Sequence, residues 1–467
     1  MNKDKLDQKI IEYKAELVGT VQSLIQINSV EKESVPGKPF GPGVNEALEY
    51  VLDRGAKMGL KTKNVDGYAG FVELGSGSEM VGVLCHLDVV PAGEDWSFDP
   101  FGGKIAEDRI YGRGSVDDKG PSGAMLYVLK AIKELDINLG KRLRIIYGTD
   151  EESGWGGINY YLEQEETPDL AFSPDAKFPV IHAEKGILIF DLSKEFSSGE
   201  DVSGNGIRVK KIEGGQAPNM VPDFCQALLV TDNSALIKQK IKESDFDLEL
   251  EEKNKREILL KSHGKSAHGS TPEQGINAIS QLMIFLNSLN LVENSVRKFI
   301  EFYEEKIGFN LHGENINCYC QDQESGELIF NSGMIKLDVN RVSLTVNIRY
   351  PVTFSGTDII TQIKEEIDPF EIDIDIDLHY PPLHFPKNNP LVQTLNSVYN
   401  NVTGENKEPI AIGGGTYARS MDNAVAFGPV FPGKRELAHK KDEYIEINDL
   451  LTAAQIYARA LVELGQK

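Results

Sequence analysis

Hydrophobic and polar positions follow helical and strand-like spacing in turn over roughly the first 186 residues. Apolar residues recur every three to four positions in segments that predict helices at 5–28, 44–58, 121–135 and 154–163. Short, continuous apolar runs predict strands at 70–74, 81–86, 143–148 and 170–172. Because these strands lack alternation and are separated by helices, we expect a sheet that is buried on both faces and largely parallel.

From about Gly186 the pattern changes to longer segments in which apolar and polar residues alternate. These segments predict strands at 188–191, 224–230, 257–261, 341–349 and 371–378, with helices at 272–289 and 357–367. Such a mixture is typical of an α+β domain. After Pro381 and Pro382 the pattern returns to helix, strand (424–427) and a closing helix (447–464).

The change of pattern divides the chain into two domains. A chain of 467 residues is too long for one hydrophobic core, since cores stop growing near ~250–300 residues. We therefore predict an α/β catalytic domain, with a mixed, largely parallel sheet flanked by helices, formed by residues 1–186 and 382–467. The α+β domain, residues 187–381, is inserted between these two parts.

The charge of the chain limits its partners. Its 72 acidic and 49 basic residues give a formal net charge of −23. Nucleic acids and anionic membranes bind basic surfaces, so neither is an expected partner. Residues 1–20 are charged throughout and lack the apolar stretch of a signal peptide, and no apolar run approaches the ~18 residues that cross a bilayer. A cytoplasmic protein is expected.

Histidines and acids follow the predicted strands of the α/β domain and recur near its C-terminus. They are His86 and Asp88, Asp117 and Asp118, Asp150 to Glu152, Asp175 and His439. In parallel sheets ligands bind outside the carboxyl ends of the strands, which is where most of these residues fall.

Taken singly, each of these residues has an ordinary structural explanation. His86 can be a surface histidine beside a loop acid, adjacent acids before a helix often cap it, and acid runs are usually solvated loops. Together, imidazole nitrogens and carboxylate oxygens at successive strand ends favour a metal site. This mixture suits Zn²⁺ and, less selectively, Co²⁺ or Mn²⁺, and one carboxylate can bridge two cations ~3.5–4 Å apart.

A family resemblance rests on a series of motifs. Between about residues 84 and 186 they are CHLDVVPAGEDWSFDPF, YGRGSVDDKGP, GTDEESG, FSPDA and EKG, and further along APNMVPD, KSAHGSTPEQGINA, VNIRYP, GGGTYAR and ELAHKKDE. The sequence resembles the M20 family of dinuclear zinc peptidases and deacylases over nearly its whole length. Within that family it is most similar to the bacterial carnosinase-like dipeptidases.

The resemblance implies roles for the residues at matching positions. One zinc ion is expected on His86 and Asp175, and the other on Glu152 and His439, with Asp117 shared between them. Asp88 matches the carboxylate that orients His86, and Glu151 matches the general base. The peptide bond between Asp117 and Asp118 is expected to be cis.

Three further residues match substrate-binding positions of the family, and they are Asn219, His268 and Arg349. Gly415 and Thr416 are expected to line the pocket, where backbone groups meet the substrate. Without the resemblance, His268 is a surface histidine in a Gly/Ser loop, Arg349 a strand-end ion pair, and Asn219 a turn residue. The three glycines before Thr416 equally fit a tight turn.

The resemblance implies a zinc dipeptidase that hydrolyses short peptides with a free C-terminus, using a metal-bridged hydroxide and Glu151. Its implied cofactors are two Zn²⁺ per chain. In this branch a long insert takes the place of a second subunit, so a functional monomer with a lid domain is expected. The rival inside the family is an N-acyl-amino-acid or succinyl-diamino acid deacylase. A non-catalytic metal-binding protein, or a cysteine hydrolase that uses Cys85, is the alternative from another class.

Overall fold

A computed structural model describes residues 3–196 and 206–466 of the chain. It divides into two compact units. Unit 1 comprises Met1–His182, His384–Ala411 and Gly415–Lys467, and unit 2 comprises Ala183–Leu383 and Ile412–Gly414. The predicted insert, 187–381, begins and ends a few residues inside the main segment of unit 2. Residues 1, 2, 197–205 and 467, which the predicted domains also contain, lie outside the described part.

Residues 3–184, the first described stretch, form five helices and nine strands, of which the last strand continues into unit 2. The helices are α1 (Lys3–Glu12), α2 (Lys14–Gln26), α3 (Pro42–Lys57), α4 (Lys119–Glu134) and α5 (Gly156–Gln164). The strands are β1 (Lys61–Val65), β2 (Ala69–Leu74), β3 (Met80–His86), β4 (Lys104–Ala106), β5 (Arg109–Tyr111), β6 (Arg142–Gly148), β7 (Leu170–Ser173), β8 (Ala176–Lys177) and β9 (Ile181–Glu184).

The inserted stretch contains four helices and ten strands within the described residues. The helices are α6 (Ser234–Glu243), α7 (Ala278–Asn287), α8 (Ser295–Lys306) and α9 (Gly356–Ile367), with 3₁₀ turns at Pro272–Gln274 and Asp368–Phe370. The strands are β10 (Gly186–Glu195), β11 (Arg208–Gly214), β12 (Phe224–Val230), β13 (Leu248–Glu252), β14 (Glu257–His263), β15 (Gln321–Asp322), β16 (Gly326–Glu327), β17 (Ile329–Leu337), β18 (Arg341–Tyr350) and β19 (Asp373–Tyr380).

The last stretch returns to unit 1 and completes its sheet and helical layer. Its helices are α10 (Pro390–Thr403) and α11 (Ile447–Gln466), with a 3₁₀ turn at Tyr417–Ser420. Its strands are β20 (Leu383–His384), β21 (Ile410–Ile412), β22 (Ala424–Ala426), β23 (Pro429–Val430) and β24 (Tyr444–Glu446), where β20 and β21 cover the crossings between the units.

The main sheet of unit 1 is mixed and parallel at its centre. Its strand order is β1-β2-β6-β3-β7-β22-β9-β20, with β21 beside β9. The four neighbours β6, β3, β7 and β22 run parallel, and the pairs β1–β2 and β2–β6 are antiparallel. Strand β3 is buried at every position, which explains its unbroken apolar run. The predicted α/β class with a largely parallel sheet is confirmed.

Helices α4 and α11 anchor the core of unit 1 against this sheet. Helix α4 is buried along most of its length, and α11 packs against α4, α10 and α1. One continuous core therefore joins residues from both ends of the chain. Among the residues that the structure describes, no helix is both long and apolar enough to cross a membrane.

Unit 2 is built on an eight-stranded sheet in the order β13-β14-β12-β11-β17-β18-β10-β19. All of its strand pairs are antiparallel. Buried and less buried positions alternate along β12 and β14, as the sequence pattern predicts for a sheet with one covered face. Its own core includes the apolar faces of α7, α8 and α9, so unit 2 has the predicted α+β architecture.

Three local predictions differ from the structure. The helix expected at 5–28 is two helices separated at Tyr13, whose ring is buried beside Tyr127. The helix expected at 272–289 is a 3₁₀ turn followed by α7, which begins after Asn277 caps it through its side chain. Strand β1 was not predicted, because four of its five residues are polar and most of it is exposed.

Candidate active site

The histidines and acids predicted as ligands lie at one edge of the unit 1 sheet. His86 is the last residue of β3, Glu151 and Glu152 follow β6, and Asp175 follows β7. Because β6, β3 and β7 are parallel neighbours, their carboxyl ends meet at the same edge. Asp117 lies just before α4, and His439 lies in the loop before β24.

Asp117 lies between the two histidines. Its Oδ1 is 2.9 Å from His86 Nε2, and its Oδ2 is 3.1 Å from His439 Nε2. Each oxygen of one carboxylate therefore faces a different imidazole nitrogen. This is the arrangement that a carboxylate shared by two cations requires.

The remaining acids divide between the two histidines. Glu152 Oε2 lies 2.9 Å from His439 Nε2, and Asp175 Oδ2 lies 3.8 Å from His86 Nε2. At this edge of the sheet, potential ligand atoms of described residues converge within 4.8 Å of one another in the groups His86–Asp117–Glu152 and His86–Glu151–Asp175, and His439 joins the first through Asp117 and Glu152. The structure thus brings together all five predicted ligands, and it places Glu151 beside them.

Asp88 orients His86 through its backbone oxygen, and its carboxylate lies nearby. His86 Nδ1 lies 3.0 Å from the backbone oxygen of Asp88 and 3.5 Å from its Oδ1. The other carboxylate oxygen, Oδ2, accepts a hydrogen bond of 3.0 Å from the backbone N–H of Glu152. Asp88 therefore links the strand that carries His86 to the loop that carries Glu152, and it leaves Nε2 of His86 facing the ligand cluster.

Burial and crowding of like charges shift the pKa values of the acids. Burial raises the pKa of Glu151 well above its usual value, and the charges of Glu152 and Asp117 raise it further. Burial and the charge of Asp117 also raise the pKa of Asp175. Burial opposes ionisation of Asp117, but hydrogen bonds with His439 and His86 lower its pKa overall. A cluster of this kind is stabilised by added positive charge, so its electrostatics fit cations.

The two aspartates before α4 do different work. The peptide bond between Asp117 and Asp118 is cis, as the family resemblance implies. The carboxylate of Asp118 accepts bonds from the backbone N–H of His86 at 3.2 Å and from the hydroxyl of Ser122 at 3.1 Å. Asp118 therefore ties the end of β3 to α4, whereas Asp117 points into the ligand cluster.

Sequence reasoning missed three buried polar residues that shape the site. Asp150 accepts bonds from the backbone N–H groups of Gly154 and Gly156 and so closes the loop that carries Glu151 and Glu152. Glu443 accepts bonds from the backbone of the segment that precedes Asp117, and Arg113 pairs with it. The acid run 150–152 does not show which of its acids has a structural role. Glu443 does not follow a predicted strand, so the pattern of polar residues at strand ends did not point to it.

The predicted substrate-binding residues fall in both units. In unit 2, Gly269 N donates to the backbone oxygen of Asn219, which places Asn219 beside His268. Ser270 N donates to Nδ1 of His268, so a neutral His268 ring carries its proton on Nε2. Arg349 is buried and donates to Asn347 Oδ1 at 2.9 Å and to the backbone oxygen of Gly413 at 3.3 Å.

Gly415 and Thr416 belong to unit 1, where they precede the 3₁₀ turn at Tyr417–Ser420. The hydroxyl of Thr416 accepts a bond from Ala418 N at 3.2 Å and caps this turn, while Gly415 is exposed. The cap holds the backbone at Thr416 in place before Tyr417. The ring of Tyr417 lies 6.3 Å from the ring of His86, so Thr416 adjoins a residue that lies near the ligand cluster. A role for Gly415 and Thr416 in binding substrate stays a prediction.

A cleft in unit 1 opens beside the ligand cluster. Its volume is about 470 Å³, and Asp88 and Glu152 line one side of it. The other walls come from residues 30–34 with Pro39, from 89–91 and from Ser153. Glu31 and Glu33 lie in these walls beside one basic residue, Lys32, so acidic residues outnumber basic ones in the cleft.

Cys85 does not fit a nucleophile. It lies within β3 with its side chain fully buried, and this burial raises its pKa well above the usual value. A thiol in such surroundings is inert, since the thiolate is the reactive form. The burial of Cys85 therefore disfavours the cysteine-hydrolase alternative.

The sheet, the ligand cluster at its carboxyl edge and the mixed nitrogen and oxygen donors define the class of metal-dependent hydrolases. The sequence pattern described as peptidase family M20/M25/M40 matches residues 82–463. The chain belongs to this family, which confirms the predicted resemblance and the predicted hydrolase class.

Relatives and solved structures agree with this membership. A protein of Bacillus subtilis (strain 168) named "Putative dipeptidase YtjP" is 40% identical over 98% of this chain and 99% of its own length. A protein of Staphylococcus haemolyticus (strain JCSC1435) named "Putative dipeptidase SH1171" is 37% identical over 98% of both chains. Human carnosine dipeptidase 1 shares the fold at 16% identity, with a TM-score of 0.61 over 100% of this chain and 99% of its own. A tripeptidase of Staphylococcus aureus does so at 17% identity, with a TM-score of 0.58 over 97% and 99%.

Proposed function

We propose that this protein is a dipeptidase that uses two divalent cations, with zinc as the natural metal. The observation that carries the proposal is the position of Asp117, whose two oxygens face His86 and His439 at 2.9 and 3.1 Å. One cation would be held by His86 and Asp175 and the other by Glu152 and His439. Mixed imidazole and carboxylate donors of this kind suit Zn²⁺, and Co²⁺ or Mn²⁺ would substitute.

The residues around the cations have separate tasks. Cations held there would supply Lewis acidity, which polarises a peptide carbonyl and makes water nucleophilic at neutral pH. Glu151 takes the proton from the attacking water and delivers it to the nitrogen of the leaving amine. Burial raises the pKa of Glu151, and the positive charge of bound cations would oppose that rise, so that the carboxylate could accept a proton and return it. Asp88 keeps His86 in a fixed orientation during these steps.

The proposed substrates are short peptides with a free C-terminus. The dipeptidase names of relatives that match 98% of the chain support this substrate class. Arg349 would bind the C-terminal carboxylate through charge-assisted hydrogen bonds, with Asn219 as its helper. His268 would stabilise the developing oxyanion, for which a proton on Nε2 is suitable. A monomeric enzyme, a lid role for unit 2 and a cytoplasmic location remain predictions of the sequence.

Removal of metal is expected to abolish hydrolysis reversibly. Because the catalytic groups surround a cluster of ligands, dialysis against a strong chelator should leave a folded, inactive protein. Titration with Zn²⁺ should restore activity and saturate at two ions per chain, as measured by elemental analysis beside the rate. Circular dichroism before and after dialysis is the control for unfolding. Full activity in metal-free protein would contradict the proposal.

A substrate panel separates the dipeptidase from the deacylase. We expect alanine-containing dipeptides to be hydrolysed and acetyl- or succinyl-amino acids of matched side chain to react poorly, because the cleft beside Glu152 is acidic and favours a free amine. The ratio of kcat/KM for each pair is the measurement. Turnover of the acylated compounds alone would replace the dipeptidase by the deacylase. Zinc binding without turnover of either set would favour the non-catalytic metal-binding protein.

A further inference from the structure

A buried ion pair joins the loops that carry two of the proposed ligands. Arg113 Nη1 lies 2.8 Å from Glu443 Oε2, and both side chains are almost completely buried, at 2% and 0% exposure. Arg113 lies four residues before Asp117, and Glu443 lies four residues after His439. The pair thus connects the loop of the shared carboxylate to the loop of the last histidine.

Glu443 holds the segment that leads to Asp117. Its Oε1 accepts hydrogen bonds from Val116 N at 2.9 Å and from Asp117 N at 3.3 Å. Its Oε2 accepts a bond from Gly114 N at 3.2 Å as well as from Arg113. The carboxylate of Glu443 therefore holds the backbone between Gly114 and Asp117, the proposed bridging ligand.

Arg113 extends the same connection to two further segments. Its Nη1 donates to the backbone oxygen of Lys440, the residue after His439, at 3.2 Å. Its Nη2 donates to Pro91 O at 3.4 Å and Ala92 O at 3.3 Å, in the loop that follows His86 and Asp88. The planar guanidinium can satisfy all of these acceptors at once, which a lysine ammonium cannot do with the same geometry.

We infer that Arg113 and Glu443 are positioning residues for the metal centre, which set the distance between Asp117 and His439. This inference rests on the proposed function, since it assigns the pair to the two-cation centre. Neither side chain belongs to the groups of potential ligand atoms at the site, and both contact the backbone of ligand-bearing loops. An ordinary buried ion pair connects only structural elements, whereas this pair connects loops that carry proposed metal ligands.

The test compares the Zn²⁺ affinity of the Glu443→Gln protein with that of a control protein in which another buried ion pair of unit 1 is broken. Glutamine keeps the size of Glu443, but its NH₂ group would face donors on Arg113 and Gly114 and could not accept from them. We expect the affinity of the Glu443→Gln protein for Zn²⁺ to fall ~10–100-fold, as is typical when partners of metal ligands are lost. Competition against a chromophoric chelator measures this without reference to activity. The value of kcat should fall more than KM rises.

The control is Glu73→Gln, which breaks a pair of similar burial between β2 and β6. Glu73 Oε2 lies 2.6 Å from Arg144 Nε, and both side chains are almost completely buried. We expect Glu73→Gln to lower the melting temperature yet leave both Zn²⁺ affinities unchanged. Arg113→Lys, which retains the charge, is the second variant should Glu443→Gln fail to fold.

The outcomes separate this inference from the proposed function. Wild-type protein that binds fewer than two Zn²⁺ would count against the two-cation centre itself. If wild-type protein binds two Zn²⁺ and the binding curve of Glu443→Gln or Arg113→Lys superimposes on the wild-type curve, the positioning role alone would be overturned. A loss of affinity in Glu73→Gln equal to that in Glu443→Gln would also overturn it, because instability would then explain both.

Discussion

Replacement of Glu151 by glutamine is expected to lower kcat by ~10²–10⁴-fold, the usual contribution of a general base. Glutamine has nearly the same size but cannot accept a proton from water at neutral pH. Glu151 lies with His86 and Asp175 in one cluster of potential ligand atoms, so its loss also tests whether it binds metal. The measurements are kcat and KM on an alanine-containing dipeptide and the number of Zn²⁺ ions bound per chain.

Two ions per chain should remain bound to the Glu151→Gln protein. Glu163→Gln is the matched control, since Glu163 is an exposed glutamate on α5 of the same unit, and its kinetics should equal those of wild type. Unchanged kcat in the Glu151 variant would remove this residue as the base. Loss of one ion together with activity would reassign Glu151 as a ligand.

Replacement of Asp117 by asparagine is expected to have the largest effect on metal content. Asparagine keeps the shape of the side chain but loses its charge, and one of its two oxygens becomes an NH₂ donor that cannot bind a cation. Because the two oxygens of Asp117 face different histidines, one substitution weakens both proposed cation positions. We expect Zn²⁺ affinity to fall by more than the ~10–100-fold typical of partners that do not touch the metal.

Calorimetric titration of the metal-free protein measures this effect directly. At most one ion should bind to the Asp117→Asn protein under conditions in which wild type binds two, and hydrolysis should fall with metal content. Asp136→Asn, at an exposed position after α4, controls for the loss of one negative charge. Two ions bound with wild-type affinity would show that Asp117 is not shared.

The sequence pattern predicted three of the positions that gather at the site, for a physical reason. Strands buried on both faces are continuous apolar runs, so the first polar residue after each run marks a carboxyl end. His86, the acids after Gly148 and Asp175 follow three such runs, and the parallel pairing of β6, β3 and β7 brings them together. The position of His439 had no such support, and its placement rested on the family motif.

The supporting residues could not be predicted, because their roles depend on contacts between distant segments. Glu443 contacts Arg113 across more than three hundred residues of chain. Both residues lie in quoted motifs, YGRGSVDDKGP and ELAHKKDE, but neither motif shows that the two side chains pair. Asp150 and Glu152 look alike in sequence, and only the turn that returns Gly154 and Gly156 to Asp150 distinguishes them. Helical spacing also does not show that the first helix is interrupted at Tyr13, whose ring packs beside Tyr127.

Unit 1 is formed by separate segments of the chain, so it cannot be completed until the end of translation. Unit 2 is almost one continuous stretch, Ala183–Leu383, and can collapse as soon as that stretch has emerged. By then four of the proposed ligands have already emerged from the ribosome, which are His86, Asp117, Glu152 and Asp175. Strand β22, helix α11 and His439 have not yet been synthesised. The nascent chain therefore carries an unfinished acidic half-site, and the proposed two-cation centre is complete only after His439 has been synthesised.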